Sequence, residues 1–248
     1  PMNRIIDPLT KMGVIIESEN GHLPLLLTSD KLIGINYSQP ISSAQVKSCI
    51  ILAGLGAFGV TKIQEKIKSR DHTEIMLREL GAEINNGEVV SIKPLKNPLD
   101  EFEINVPGDP SSAAFFACAA AMIPNSDLII KNVLANPTRI GFFNIIENMG
   151  ADIQWNNMKK EGGEWVGDVH ILSQPLNGLH ITSELIPSVI DEIPIIAILA
   201  TQAQSPTSIE GASELRVKES DRIKAICQNL RSMGGDIIEK QDGFIINP

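Results

Sequence analysis

The sequence predicts an α/β fold assembled from repeated βαβαββ units, and three observations carry that reading. A short pattern, Leu or Met followed by Gly, two variable residues and Ile, recurs as Met12-Gly13-Val14-Ile15-Ile16, Leu80-Gly81-Ala82-Glu83-Ile84, Met149-Gly150-Ala151-Asp152-Ile153 and Met233-Gly234-Gly235-Asp236-Ile237. The last three copies each follow an amphipathic helical stretch and lead into a strand-like run, so the Gly reads as a helix C-cap, where a left-handed residue costs least. Upstream of each of these three lies a second helical stretch, richer in Ala, Ile and Leu, which is itself followed by a short strand.

Taken in order, residues 1–28, which hold the first copy of the pattern, read as the tail of one unit. The next unit has a leading strand at 32–37, a helix at 43–57, a strand at 61–65 and a helix at 73–80. Its successor repeats the order at 101–106, 111–122, 127–132 and 140–149, and the last at 179–183, 192–202, 207–210 and 222–233. Such a unit covers one face of its sheet with its own helices and must pack against sister units. A sequence that opens in mid-unit is therefore expected to be truncated, with apolar surface exposed near residues 1–28 and at the C-terminal end.

Composition narrows the function classes. With 43% hydrophobic, 21% charged and 4% aromatic residues, the chain has the balance of a soluble α/β protein whose core is aliphatic. Lys+Arg at 21 against Asp+Glu at 30 leaves a net charge of -9, which argues against a general nucleic-acid binder. Anionic small molecules stay open, because a few local cations outweigh the global charge at a site. Cys49, Cys118 and Cys227 lie in apolar stretches without CxxC spacing, so they read as core thiols of a reducing, cytoplasmic compartment rather than as a disulfide framework or zinc site. No apolar run reaches the roughly 20 residues of a membrane helix. No pair of the four histidines has metal-ligand spacing, and no Walker loop, GxSxG elbow or dinucleotide-binding GxGxxG is present.

The first helix of each complete unit opens on a polar cluster: Ser42-Ser43-Ala44-Gln45, then Gly108-Asp109-Pro110-Ser111-Ser112, then Asp191-Glu192-Ile193-Pro194. Ordinary capping accounts for any one of them. Helix N-termini also present free N–H groups and partial positive charge, so three equivalent ones make a cradle for phosphates and carboxylates. Basic residues near these openings favour the second reading: Lys47, Arg70, and the group Arg216, Lys218 and Arg222. Lys218 and Arg222 are four apart, and on one helix they would share a face and repel unless an anion lay between them.

Six segments together resemble the signature segments of the 5-enolpyruvylshikimate-3-phosphate synthase family of enolpyruvyl transferases. They are Pro1-Met2-Asn3-Arg4-Ile5-Ile6-Asp7-Pro8-Leu9, Ser42-Ser43-Ala44-Gln45-Val46-Lys47-Ser48, Ser69-Arg70-Asp71-His72-Thr73-Glu74, Pro107-Gly108-Asp109-Pro110-Ser111-Ser112-Ala113-Ala114, Asp191-Glu192-Ile193-Pro194, and the run from Glu214 through Lys218, Glu219 and Arg222. They stand in the family's order over nearly the whole chain. The resemblance implies two similar domains of βαβαββ units with the active site between them, the crossover falling near residues 103–108, so that 1–105 and 106–248 are parts of the first and second domain.

By the same resemblance, the reaction is transfer of the enolpyruvyl group of phosphoenolpyruvate to the 5-hydroxyl of shikimate 3-phosphate, by a cofactor-free enzyme of chorismate biosynthesis that is a monomer when complete. Ser43, Ala44, Gln45 and Arg70 would hold shikimate 3-phosphate, Asp191 and Lys218 would meet its ring hydroxyls, and Arg222 would bind phosphoenolpyruvate. Asp191 is the expected base and Glu219 the expected acid, with Lys218 sharing the proton traffic. The sequence also departs from the family. The N-terminal Lys-Ser and Arg segment, the glycine-rich phosphoenolpyruvate loop, the Arg expected just before Pro1 and the C-terminal Asp-His-Arg segment are not in it. Two rival readings stay open: a transferase with UDP-N-acetylglucosamine as acceptor, and a non-catalytic anion-binding scaffold.

Overall fold

In the computed structural model, which describes residues 2–217 and 220–248, the chain divides into two units, Pro1–Ile104 and Asn105–Pro248. The first opens with helix α1 (Asn3–Lys11) and an antiparallel hairpin of β1 (Ile15–Glu19) and β2 (His22–Thr28). A complete βαβαββ unit follows: β3 (Asn36–Ser38), α2 (Ala44–Leu55), β4 (Thr61–Gln64), α3 (His72–Glu79), β5 (Ile84–Asn86) and β6 (Val89–Ile92). Its sheet runs in the order β3-β4-β6-β5, with β3 and β4 parallel and the remaining pairs antiparallel. Period-two burial along β4 and β6 turns Ile63, Val90 and Ile92 inward, onto Val46, Ile50, Ile51 and Leu55 of α2.

The second unit carries α4 (Pro110–Met122), β7 (Asp127–Leu134), α5 (Gly141–Asn148), β8 (Asp152–Glu161) and β9 (Glu164–Leu172), with sheet order β7-β9-β8. Then come β10 (His180–Ile181), α6 (Ile186–Val189), α7 (Ile193–Ala200), β11 (Thr207–Ile209), a 3-10 turn at Ser213–Arg216, α8 (Arg222–Ser232), β12 (Asp236–Glu239) and β13 (Phe244–Asn247). Their sheet order, β10-β11-β13-β12, repeats that of β3-β4-β6-β5 strand for strand. One continuous core, with Phe142, Phe143, Ile146, Ile196 and Phe244 among its members, underlies both sheets.

The four glycines of the recurring pattern do one job. Gly13, Gly81, Gly150 and Gly234 stand at φ +96, +90, +111 and +92, each just past a helix end. In every copy the glycine N–H bonds the carbonyl three residues back and the next N–H bonds the carbonyl five back, as in Gly81 to Arg78 (3.1 Å) and Ala82 to Leu77 (2.9 Å). This is the Schellman closure, and it turns the chain from each helix into the strand that follows.

Two expectations need correction. The leading strand of the second complete unit does not form at residues 101–106; a single parallel bridge at Gly108 and Val133 stands in its place. The cause lies in β7, whose pairing with β9 breaks between Ile130 and Val133 around Asn132, at φ +56. Beside that break the Asn132 carbonyl and the Leu134 N–H are both taken by Gly108, at 2.6 and 2.9 Å. The leading strand read at 32–37 is likewise displaced to Asn36–Ser38, with Ile33 held by a lone bridge to Phe58. Apolar exposure near residues 1–28 is present: Ile15, Leu23, Leu26 and Leu27 are each more than half exposed.

Candidate functional site

In the first unit the residues read as phosphate ligands gather around the start of α2. Ser43 is extended and caps the helix, its Oγ accepting from the Val46 N–H at 3.4 Å while its own N–H donates to Gln39 Oε1 at 2.9 Å. Ala44 and exposed Gln45 form the first turn. The segment after β4 lies along this end of α2, held where the Ile67 N–H donates to Ser42 Oγ (3.1 Å) and where Ser48 and Thr73 share a hydroxyl hydrogen bond (2.7 Å). Half-buried Arg70 sits in that segment, next to Asp71, the N-cap of α3. The Asp71 carboxylate is in turn 3.0 Å from both Asn86 Nδ2 and Lys68 Nζ.

Lys47 does not join this group. It is fully buried, its Nζ 2.9 Å from Glu65 Oε2 and 2.8 Å from Glu74 Oε1. The face of α2 that carries it turns toward α3 and away from solvent, and a buried ammonium there is stable only with such partners.

In the second unit the two openings differ, so the expected equivalence fails. At α4 the opening is filled by the chain itself: Asp109 Oδ2 accepts from the Ser112 N–H (2.9 Å) and hydroxyl (3.0 Å), and Oδ1 meets Arg139 Nη2 at 2.6 Å. Burial pushes the Asp109 carboxyl up, but the Ser112 groups and the Arg139 guanidinium outweigh it and hold the carboxyl below the usual aspartate range. Arg139 also donates to Ser111 Oγ (3.0 Å), whose hydroxyl donates to the buried Glu192 carboxylate.

At α7 the N-cap is Glu192, which makes no side-chain cap, and the neighbouring Asp191 lies with its Oδ1 3.5 Å from Arg222 Nη1. Two expected site residues are therefore brought together, Arg222 by standing first in α8 behind the capping Asp221. The helix openings at Ser43, Asp109 and Glu192 are capped by hydroxyl, carboxylate and no side chain respectively.

Arg216 is also corrected. Its guanidinium reaches Asp221 (2.9 Å), Glu239 (3.0 Å) and the Gln241 carbonyl (2.6 Å), and it donates to the Lys240 carbonyl as well. The Asp221 hydrogen bond, with Glu239 behind it, raises the pKa of this already permanent cation, so Arg216 is a structural tie. Lys218 and Glu219 lie outside the described residues, and α8 starts only at Arg222. Arg139 was missed in the sequence although the repeat marks it: Arg70 and Arg139 each directly precede the N-cap of the second helix of their unit.

Among the described residues, no group of three His, Cys, Asp or Glu side chains is placed to hold a metal, and no helix is long and apolar enough to cross a membrane. Cys118 and Cys227 are buried and free, and burial pushes the Cys118 thiol up to about 11.

A family model described as EPSP synthase (3-phosphoshikimate 1-carboxyvinyltransferase) matches residues 1–248. Among curated relatives, proteins named 3-phosphoshikimate 1-carboxyvinyltransferase from Persephonella marina and Petrotoga mobilis are 49% and 50% identical, over 99% of this chain. The chain spans 58% of the length of each. A solved EPSP synthase from Acinetobacter baumannii matches with a TM-score of 0.89 at 43% identity, covering 100% of this chain and 56% of that one. The enolpyruvyl transferase NikO from Streptomyces tendae, at a TM-score of 0.75 and 18% identity, shares the fold. With the repeated units, the helix-opening segments and the family pattern running through all 248 residues, the chain belongs to the EPSP synthase family.

Proposed function

We propose that this chain serves the transfer of the enolpyruvyl group of phosphoenolpyruvate to the 5-hydroxyl of shikimate 3-phosphate, with release of phosphate. The observation that carries the proposal is the family match over residues 1–248. Ser43, Ala44, Gln45 and Arg70 take the shikimate phosphate, a role supported by the hydroxyl-capped start of α2. Asp191 and Lys218 meet the ring hydroxyls, and Arg222 takes phosphoenolpyruvate. In the addition step Asp191 accepts the 5-hydroxyl proton, the oxygen bonds to C2 of phosphoenolpyruvate, and Glu219 protonates the methylene carbon. Elimination then breaks the bond to phosphate and returns a methyl proton to a carboxylate, restoring the vinyl ether. The Asp191 and Arg222 pair supports these roles, since it sets a carboxylate beside a cation suited to a phosphate.

The test joins the chain to the flanking parts of the Petrotoga mobilis relative that it does not match, and follows phosphate release. Release is expected only when both shikimate 3-phosphate and phosphoenolpyruvate are present. A folded hybrid that is inert with this pair, or that turns over UDP-N-acetylglucosamine instead, would overturn the proposal.

A further inference from the structure

Lys47, Glu65 and Glu74 form a cluster of charges that the proposed chemistry does not use. The side chains of Lys47 and Glu74 are fully buried and that of Glu65 is 7% exposed. They come from α2, from the residue just past β4, and from α3. The Lys47 ammonium donates to Glu65 Oε2 at 2.9 Å and to the Ser69 carbonyl at 3.3 Å, and it forms an ion pair with Glu74 Oε1 at 2.8 Å. Glu65 closes the group by accepting from the Ser69 N–H (3.3 Å) and hydroxyl (2.5 Å). Ser69 is the residue before Arg70.

Stability is a poor reason for such a cluster, because apolar residues of similar volume commonly serve a buried site as well or better. What apolar packing does not do is hold a loop backbone in one place. Here a single ammonium holds the carbonyl beside Arg70, and its two carboxylates come from the elements on either side of that loop. We infer that Lys47 is a positioning residue, which clamps residues 65–71 onto the first turns of α2 and so sets Arg70 relative to the Ser43 to Gln45 opening. This rests on the reading of that opening as the shikimate phosphate site.

Lys47→Met alone strands two buried carboxylates and is prone to unfold. The informative variant is the pair Lys47→Met with Glu74→Met, which removes one of the two carboxylates, leaves Glu65 the Ser69 N–H and hydroxyl as donors, and keeps the volume. In the 248-residue chain it should keep the wild-type denaturation midpoint, while amide hydrogen exchange across residues 65–71 rises about tenfold. Its affinity for shikimate 3-phosphate by titration calorimetry should fall roughly tenfold, the loss expected when one charged contact is misplaced. Ile92→Val, a methylene removed from the same core, should leave exchange in 65–71 and affinity unchanged. A folded double variant with wild-type exchange in 65–71, or with wild-type affinity, overturns the inference. If the wild-type chain itself does not bind shikimate 3-phosphate, the functional reading falls, and the exchange measurement still decides whether Lys47 positions the loop.

Discussion

Asp191 and Arg222 are far apart in sequence and 3.5 Å apart in space, with 42% and 29% of their side chains exposed. A partly exposed pair keeps both partners available to a ligand, which suits a base and a phosphate-binding cation. In the hybrid, Asp191→Ala and Glu219→Gln should each lower turnover by roughly 10²-fold or more, with shikimate 3-phosphate affinity within about an order of magnitude of wild type. Arg222→Ala should instead weaken phosphoenolpyruvate binding by about 10- to 150-fold. Steady-state phosphate release separates the outcomes, and wild-type turnover in Glu219→Gln would remove that residue from the mechanism. The placement of Ser43, Arg70, Asp191 and Arg222 at or next to helix starts was legible in the sequence, because capping residues and charges coincide there. Lys47 and Arg216 misled because their acceptors are distant: Ser69 and Glu65 lie 22 and 18 positions from Lys47, and Gln241 lies 25 from Arg216. Local spacing reports a charge but not which face of an element bears it.

At the scale of single elements, the helix ends can be tested against one another. A Cβ on Gly234 would meet nothing within 4 Å, so Gly234→Ala carries only the left-handed backbone cost, roughly 1–2 kcal/mol. On Gly150 the same atom would lie 3.1 Å from the Pro175 carbonyl, a backbone group with little room to give. Gly150→Ala should therefore lose more stability than Gly234→Ala in denaturant unfolding; the reverse order would show that the closures are not equivalent. The start of α8 gives a pH prediction. The Lys224 N–H, with Arg216 behind it, outweighs burial and holds the Asp221 carboxyl below its ordinary value, about 3.9 in a free peptide. A lowered native pKa stabilises the fold above the unfolded value and loses that effect as pH falls through the native one. Asp221→Asn should flatten the loss of stability below about pH 4, and an unchanged acid limb would discount the cap. The recurring glycine was the most legible feature because its conformation is local. The strand expected at 101–106 was not, because pairing depends on the edge of another strand, β7, whose register with β9 shifts at Asn132, at φ +56.

For the whole molecule, the repeat was visible in the sequence as order and spacing, and the sheets bear it out in strand order, β10-β11-β13-β12 reproducing β3-β4-β6-β5. Hidden from sequence was how the units share cores, since that depends on packing between residues far apart in the chain. The buried residues resolve into two clusters: one from Leu9 to Ile92, the other from Ala113 to Ile246, joining two successive sheets. A unit with its own closed core is expected to fold by itself. Both tryptophans, Trp155 and Trp165, belong to the second unit, and Trp155 packs edge-on against Phe143 at 5.4 Å between ring centres. Indole fluorescence is therefore a built-in reporter of that core, free of signal from residues 1–104. Residues 105–248 expressed alone should unfold cooperatively in urea, with native fluorescence at the start and a near-ultraviolet dichroism band from the ordered Trp155. Loss of that band with helical dichroism retained would mean the second core does not close without residues 1–104, and the division of the chain into two self-sufficient units would have to be given up.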